Sequence, residues 1–262
     1  MSTPPDITAT LVFHREGSLA LPALASLRDQ VEAANERGLS VETRAVLDRA
    51  DDLTRLLVRE RGSWLNDIVE ADVGDLGLAR NLGVQQASGA FLAFLDGDDL
   101  WGADWLRRAH EAATASAAAA RAIWHPRYLY YFTESDFGSL SINASPHPNA
   151  ASFIMEHIPS NSPNFDPNAL FLENVWTANV FAAKEIYMDH PYNAVDRSRG
   201  LGIEDWSWNA TTVRAGVPHL VVPDTVHLIR LKASGSLGQQ NAAEGLLPLY
   251  HDDVWPDVAG GR

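Results

Sequence analysis

Apolar and polar positions alternate in period along the chain, and the changes of period predict an ordered series of strands and helices. Ile7–Phe13 is a short β-favouring run with few charges, the pattern of a strand covered on both faces. Ser18 then offers a cap to a helix in which Leu24, Leu27, Val31 and Ala34 recur at three- and four-residue spacing, with Gly38 past its end. A second strand at 41–47 stops at the polar run Asp48-Arg49-Ala50-Asp51-Asp52. Asp67–Ala71 forms a weak third strand, and 77–87 a helix with Leu78 and Leu82 on one face. The run at 91–95 is the clearest buried strand, and an Ala-rich helix is expected over 103–120. This order over some 120 residues predicts an α/β fold, a mostly parallel central sheet with helices on both faces.

The second half is less regular. Residues 123–132 are aromatic and strand-like, and 135–168 are turn-rich with five prolines, as in an active-site loop or inserted subdomain. Strand character returns at 175–182. Trp206, Ala210 and Val213 share a helical face that ends before Gly216. Two short strands are expected at 220–222 and 226–231. No composition shift divides the chain. The expectation is one domain over 1–238, with halves at about 1–120 and 121–238, and a polar tail at 239–262.

Composition narrows the chemistry. In 262 residues there are 20 basic and 34 acidic side chains, a net charge of −14, so the chain lacks the field that gathers nucleic acid. Small anionic ligands remain open to it, because one cation and a few backbone N–H groups suffice. There is no cysteine, which excludes disulfides, thiolate metal sites and a cysteine nucleophile. The start carries no basic-then-apolar leader, and no apolar run reaches the roughly 20 residues of a membrane span. The expectation is a cytoplasmic protein without a transmembrane segment.

The strongest chemical feature is Asp96-Gly97-Asp98-Asp99, placed at the carboxyl end of the fourth expected strand, where open α/β sheets bind ligands. Hard oxygen ligands in a tight turn suit Mg²⁺ or Mn²⁺. The same residues also read as a plain turn followed by a helix cap at Asp99 or Asp104, and the tetrapeptide alone does not separate these readings.

Leu78-Ala79-Arg80-Asn81-Leu82-Gly83, then Ala87-Ser88-Gly89, then Phe91-Leu92-Ala93-Phe94-Leu95-Asp96-Gly97-Asp98-Asp99 resembles the signature of family 2 glycosyltransferases of the GT-A fold. Phe13-His14-Arg15-Glu16-Gly17-Ser18-Leu19 resembles the end of that family's first strand. Gly202-Ile203-Glu204-Asp205-Trp206 resembles its acidic acceptor-side motif, so the likeness runs over about residues 7–230. It implies a metal-dependent, inverting transfer from a nucleotide-diphosphate sugar to an acceptor hydroxyl on a glycan, a lipid-linked intermediate or a small molecule.

It also implies roles. Asp48 would accept from the nucleotide base, although the two-aspartate-Gly-Ser pattern of the family is replaced here by Asp48-Arg49-Ala50-Asp51. Arg80 would pair with the diphosphate or with the acidic cluster itself, while Asn81 braces the loop. Phe13 would pack beside the base or, equally, in the core. Asp96 would contact the ribose, Asp98 the metal ion, and Asp99 would orient the turn. Asp205 would be the general base, with Glu204 the nearer alternative. His227 would complete the metal site or be an ordinary core histidine. Arg230, Lys232 and Ser234-Gly235-Ser236 would close over the diphosphate. Of eight tryptophans, most are expected in the core, and Trp206 alone is nominated for the acceptor.

Three other classes bear comparison. A nucleotidyltransferase also sets carboxylates and Mg²⁺ at strand ends, but it wants a Gly-rich basic loop after the first strand, where this chain has one Gly and one Arg. A haloacid-type phosphatase wants its aspartates after the first strand. A non-catalytic carbohydrate-binding module on the same scaffold would not need a metal site, an arginine and a base together.

Overall fold

The structure, a computed structural model, describes residues 3–133, 152–232 and 236–249. Strand β1 (Ile7–Phe13) is buried along its whole length. Its Ile7, Ala9, Leu11 and Phe13 face one apolar cluster, while Val12 faces another on the opposite side of the sheet. Helix α1 (Ala20–Asn35) covers the first face with Ala20, Ala23, Leu24 and Leu27. Ser18 does not cap it: a 3-10 turn at Gly17–Leu19 runs directly into the helix, and Leu19 stands at the cap without a side-chain bond. Strand β2 (Val41–Asp48) pairs parallel with β1.

The polar run after β2 opens a helix rather than a loop. Asp51 accepts from the Thr54 backbone N–H at 2.8 Å and starts α2 (Asp52–Arg61). Strand β3 (Asp67–Ala71) lies parallel beside β2, and Asp75 caps α3 (Leu76–Gln86). Strand β4 (Phe91–Asp96) returns to pair parallel with β1. A two-residue β5 (Leu100–Trp101) and α4 (Trp105–Thr114) follow. The expected long helix stops early, because Ser116 accepts from the Ala119 N–H and restarts the chain as a 3-10 turn.

Beyond β4 the sheet becomes mixed. Strand β6 (Ile123–Thr133) pairs with a short β7 (Phe153–Glu156), and β8 (Phe181–Ala183) lies antiparallel between β4 and β6. Only Phe181 and Ala182 of 175–182 form strand; Trp176 instead turns inward and donates to the Ile158 carbonyl at 3.0 Å. Helices α5 (Lys184–Asp189) and α6 (Glu204–Arg214) follow. The two expected final strands are one, β9 (His219–Leu231), which runs on through a bulge at Asp224 (φ 55°) and pairs parallel with β6. The Thr225 hydroxyl fills that bulge, donating to the Val222 carbonyl and accepting from the Arg127 N–H.

The described residues thus form one nine-stranded sheet in the order β3-β2-β1-β4-β8-β6-β9-β5, with β7 on β6. The chain continues into α7 (Leu237–Ala243). After it, the Leu247 carbonyl accepts from Gly202 at 2.7 Å and its N–H donates to Gly200 at 2.9 Å, so the expected tail begins as a clasp on the segment that enters α6. Gly202 there has φ 118°, and a Cβ would meet Val195 Cα at 2.6 Å.

Candidate active site

The acidic turn grows out of β4 between β1 and the end of β9. The Asp99 N–H closes it on the Asp96 carbonyl at 3.1 Å. Glycine is required at its second position, since a Cβ on Gly97 would lie 2.3 Å from the Phe13 ring and 2.8 Å from the Val12 carbonyl oxygen. Phe13 is fully buried beneath this turn. Of its two expected places, the ring takes the core one.

Asp98 and Asp99 are both buried. Asp98 Oδ2 meets Lys232 Nζ at 2.7 Å, and its carbonyl accepts from Arg230 Nε at 3.1 Å. Asp99 Oδ1 accepts from the Arg230 backbone N–H at 2.8 Å. Burial, with Asp98 and Asp96 alongside, holds the Asp99 carboxyl well above the usual carboxylate range. Arg230 lies over the Phe132 ring at 4.8 Å. It therefore braces the turn through its backbone and guanidinium, and Lys232 is the cation that reaches a carboxylate.

Glu16, which sequence reasoning passed over as part of a loop, belongs to this group. It accepts from the His14 N–H at 2.6 Å, and burial, with Asp98 adding to it, pushes its carboxyl up to about 7. Nothing in its spacing marks it, because what brings it to Asp98 is the 3-10 turn after β1.

Arg80 is fully enclosed on α3. Its Nη2 meets Asp96 Oδ1 at 2.6 Å and its Nη1 meets Glu204 Oε1 at 2.8 Å, with the Tyr192 ring 5.6 Å from the guanidinium. Both ends of the fork are thus engaged by protein. Pairing with the acidic cluster replaces the diphosphate contact among the two expected roles. Asn81, one residue on, exchanges hydrogen bonds with the Tyr192 backbone at 2.8 and 2.9 Å and braces that loop as expected.

The acceptor-side acids lie at the first turn of α6. Glu204 is buried and committed to Arg80. Asp205 is only partly enclosed, and Oδ1 accepts from the Trp206 N–H at 2.7 Å. Burial first, then the charge of Glu204, raises its carboxyl to about 7, against the opposing pull of Arg80. Trp206, half-buried, donates its indole N–H to the Leu170 carbonyl at 2.5 Å.

Of the remaining expected residues, Asp48 is held by backbone N–H groups and His227 takes the core place of its two. Asp48 Oδ1 accepts from the Val73 and Gly74 N–H groups at 2.8 and 3.0 Å, so this carboxylate pins the loop between β3 and α3. His227 is not brought to the acidic turn. It is fully buried in the core, 4.9 Å from the Trp105 ring and 6.5 Å from that of Trp101, and neither ring nitrogen has a hydrogen-bond partner among the described residues. Burial holds it well below its ordinary value and therefore neutral. Ser234 and Gly235 lie outside the described residues; Ser236 caps α7, where Gln239 donates to the Lys232 carbonyl at 3.1 Å.

Tyr131 is a further side chain the sequence did not single out. The register Tyr131↔Ile229 sets it next to Arg230, and burial, with Asp99 and Asp205 adding to it, pushes its hydroxyl up to about 12. Its ring stacks on Phe153 at 4.5 Å. It reads in the sequence as one more aromatic in a strand.

Among the described residues no group of three His, Asp or Glu side chains converges as a metal cage. The turn nevertheless fits a hard divalent cation in its chemistry. Asp98 and Asp99 supply buried carboxylate oxygens on one tight turn, the hard ligand type such an ion takes. Ions such as Mg²⁺ take few protein ligands when phosphate oxygens complete the shell. No helix of the described residues is long and apolar enough to cross a membrane.

The sequence model of glycosyl transferase family 2 matches residues 9–161. No curated protein matches the chain in sequence. Among solved structures, S. aureus TarS is similar with a TM-score of 0.59 at 15% identity, over 86% of this chain and 37% of that one. TarS 1-349 of S. aureus in complex with UDP-GlcNAc gives 0.58 at 16% identity, over 88% and 60%. The mannosyltransferase PcManGT from Pyrobaculum calidifontis, in complex with GDP-Man and Mn²⁺, gives 0.58 at 16%, over 92% and 62%. The chain spans less than two thirds of each of these proteins. At these identities the likeness establishes the fold, the GT-A sandwich expected from the sequence.

Proposed function

Because the chain belongs to glycosyl transferase family 2, we propose that it moves a sugar from a nucleotide-diphosphate sugar to an acceptor hydroxyl, with inversion at the anomeric carbon. The observation that carries this reading is the buried bridge Asp96–Arg80–Glu204, which ties the acidic turn to the start of α6. A donor at the turn and an acceptor at Asp205 are thereby held on one rigid frame.

The two acids at α6 divide the work. Glu204 is neutralised by Arg80 and fixes the helix start. Asp205, with a carboxyl near neutrality, takes the proton of the acceptor hydroxyl as that oxygen attacks the anomeric carbon from the side opposite the diphosphate. The bond from the anomeric carbon to the diphosphate oxygen breaks as the new one forms, and the proton stays on Asp205.

On the donor side, Asp98 with Asp99 behind it would hold Mn²⁺ or Mg²⁺, and Asp96 would take the ribose. The ion, when bound, offsets charge on the leaving diphosphate. Lys232, already at Asp98, adds a second positive charge at the same place. Arg230 keeps the turn in shape from behind. The donor class is supported by the bound UDP-GlcNAc and GDP-Man of the similar structures, and the metal by the Mn²⁺ of PcManGT. Against nucleotidyl transfer stands Glu16, which sets a carboxylate where that chemistry needs a basic loop.

The test is release of nucleoside diphosphate from a panel of UDP- and GDP-sugars with Mn²⁺. Slow hydrolysis of one donor, lost in Asp205→Asn and Asp98→Asn, is the expected result. No turnover of any nucleotide sugar, together with no thermal shift on adding them, would overturn the reading.

A further inference from the structure

Three buried histidines take no part in the proposed transfer. His125 of β6 and His219 at the start of β9 stack on each other at 5.1 Å and on Trp176 at 5.2 and 4.2 Å, while His157 stands edge-on to His125 at 5.4 Å. Their hydrogen bonds fix the proton on each ring. Thr212 of α6 gives its hydroxyl proton to the Trp208 carbonyl at 2.8 Å, so its oxygen accepts from His219 Nε2 at 2.9 Å. His219 Nδ1 is then a lone pair, and His125 Nε2 donates to it at 2.8 Å. That leaves His125 Nδ1 unprotonated, buried and without a partner among the described residues. His157 Nδ1 donates to the Pro126 carbonyl at 2.7 Å, which leaves His157 Nε2 in the same state. The chain His125–His219–Thr212 thus ties β6, β9 and α6 together. The segment 157–176 closes over it: Ser160 exchanges bonds with the His219 backbone at 2.7 and 2.9 Å, and Phe165 stacks on Trp176 at 5.2 Å.

A further proton finds no acceptor here. On His219 it would set two N–H groups head to head at 2.8 Å; on His125 or His157 it would leave a cation unpaired in the interior. The titratable groups acting on His125 are His219, His157 and His227, and His157 alone acts on His219. Around them, Asp166 and Glu173 of the covering segment, Arg214 of α6 and Asp224 of β9 are exposed. Arg127 and Glu156 pair with each other at the rim, and Glu204 and Asp205 lie about two turns away at the other end of α6. We propose that the cluster is an acid-sensitive latch: α6 and the segment 157–176 stay on the sheet while His125, His157 and His219 are neutral, and proton uptake releases them with the donor-side half still folded. Burial lowers His157 to about 4 and His219 to about 3, and holds His125 well below the ordinary 6.5. Because the folded values are the lowered ones, the latch is fully closed above about pH 6.5 and loosens as pH falls toward 4. The inference does not depend on the transfer reading.

Hydrogen exchange of the whole protein, followed by mass spectrometry at pH 7, 6 and 5 and corrected for intrinsic rates, reads the latch region by region. Three histidines that regain ordinary values on opening should raise the opening constant of α6 roughly 10²–10³-fold between pH 6 and pH 5. Over the same interval α1 and β1 should stay protected. Asp205 cannot mimic this, because its raised carboxyl favours the folded form as pH falls. His125→Phe keeps a ring in the stack and takes up no proton, so its rise should be smaller by a factor of about eight. If that variant does not fold, the wild-type rise decides alone. A wild-type rise below about tenfold over that pH unit overturns the proposal, as does a folded His125→Phe with the full wild-type rise. Equal loss of protection over α1 and α6 would be acid unfolding of the whole chain and would overturn it too.

Discussion

Arg80 and Glu204 are 124 residues apart in the chain and 2.8 Å apart in the fold, in a contact sealed from solvent. Losing one partner of such a pair strands the other charge in the interior. Arg80→Met is expected to cost about 3–5 kcal/mol of stability in urea unfolding, and adding Glu204→Gln should return part of it. A loss below about 1 kcal/mol would show that the bridge holds nothing together.

Asp205→Asn should separate activity from stability. Burial raises the carboxyl to about 7 in the folded chain, against 3.8 for an aspartate free in water. Its folded value is raised, so the charged form weakens the fold above about pH 7 and this penalty fades as pH falls toward 3.8. The amide should therefore raise the melting temperature at pH 8, with the gain gone by pH 4, and should lower kcat by about 10²-fold or more. In the wild-type protein kcat/KM should rise with pH through about 7, as the base loses its proton. A profile flat from pH 5 to 8 would take the base role from Asp205.

Chelation tests the donor turn. With a chelator, transfer should drop at least about tenfold and recover with Mn²⁺. Asp98→Asn should lose about 10²–10³ in kcat with little change in melting temperature. Lys232→Met should leave turnover more dependent on Mn²⁺ than in the parent, because the ammonium at Asp98 is then missing. Full activity of Asp98→Asn in chelator would exclude a metal at this turn.

Gly97→Ala tests the packing under that turn. With Phe13 Cδ1 at 2.3 Å from the added carbon, either the ring or the turn must move, at a cost of about 1–3 kcal/mol. Donor affinity, read by calorimetry with a nucleotide sugar, should weaken in parallel. An unchanged melting temperature and affinity would mean that the turn has slack the packing does not suggest.

The first half of the fold was legible because its signals are local. Ile7–Phe13 and Asp67–Ala71 have the bounds their residues predict, and the acidic turn follows directly from the end of β4. Helix α2 was hidden because the stripe its sequence offers, Leu53 and Leu56, is exposed, while the residues it buries are Thr54 and Val58. Strand β9 read as two because Pro223 and Asp224 look like a turn, and only the Thr225 hydroxyl bonds across to β6 and back to Val222 show the strand passing through.

At the site, residue types were readable and partnerships were not. The sequence named Arg80, Glu204 and Asp96, but their contact spans α3, β4 and α6 and depends on how the halves pack. His227 was open to both readings, ligand and core, because it lies in strand context after the acids; its burial against Trp105 comes from the pairing of β9 with β5, a strand of two residues with no periodicity to detect. Lys232 at Asp98 and Glu16 behind it are likewise products of β9 and of the turn after β1 arriving at one point.

The bond from Gly202 to Leu247 has a temporal meaning. The segment that leads into Glu204 and Asp205 is gripped by residues synthesised more than forty positions later. The nucleotide-side half can fold as it emerges, since its strands and helices are close neighbours in the chain. The acid pair acquires its full support only when the residues near 247 have left the ribosome. The acidic turn waits on β9 as well, since Arg230 and Lys232 close on Asp99 and Asp98, so neither end of the proposed site is complete until the chain well past the acid pair has been made.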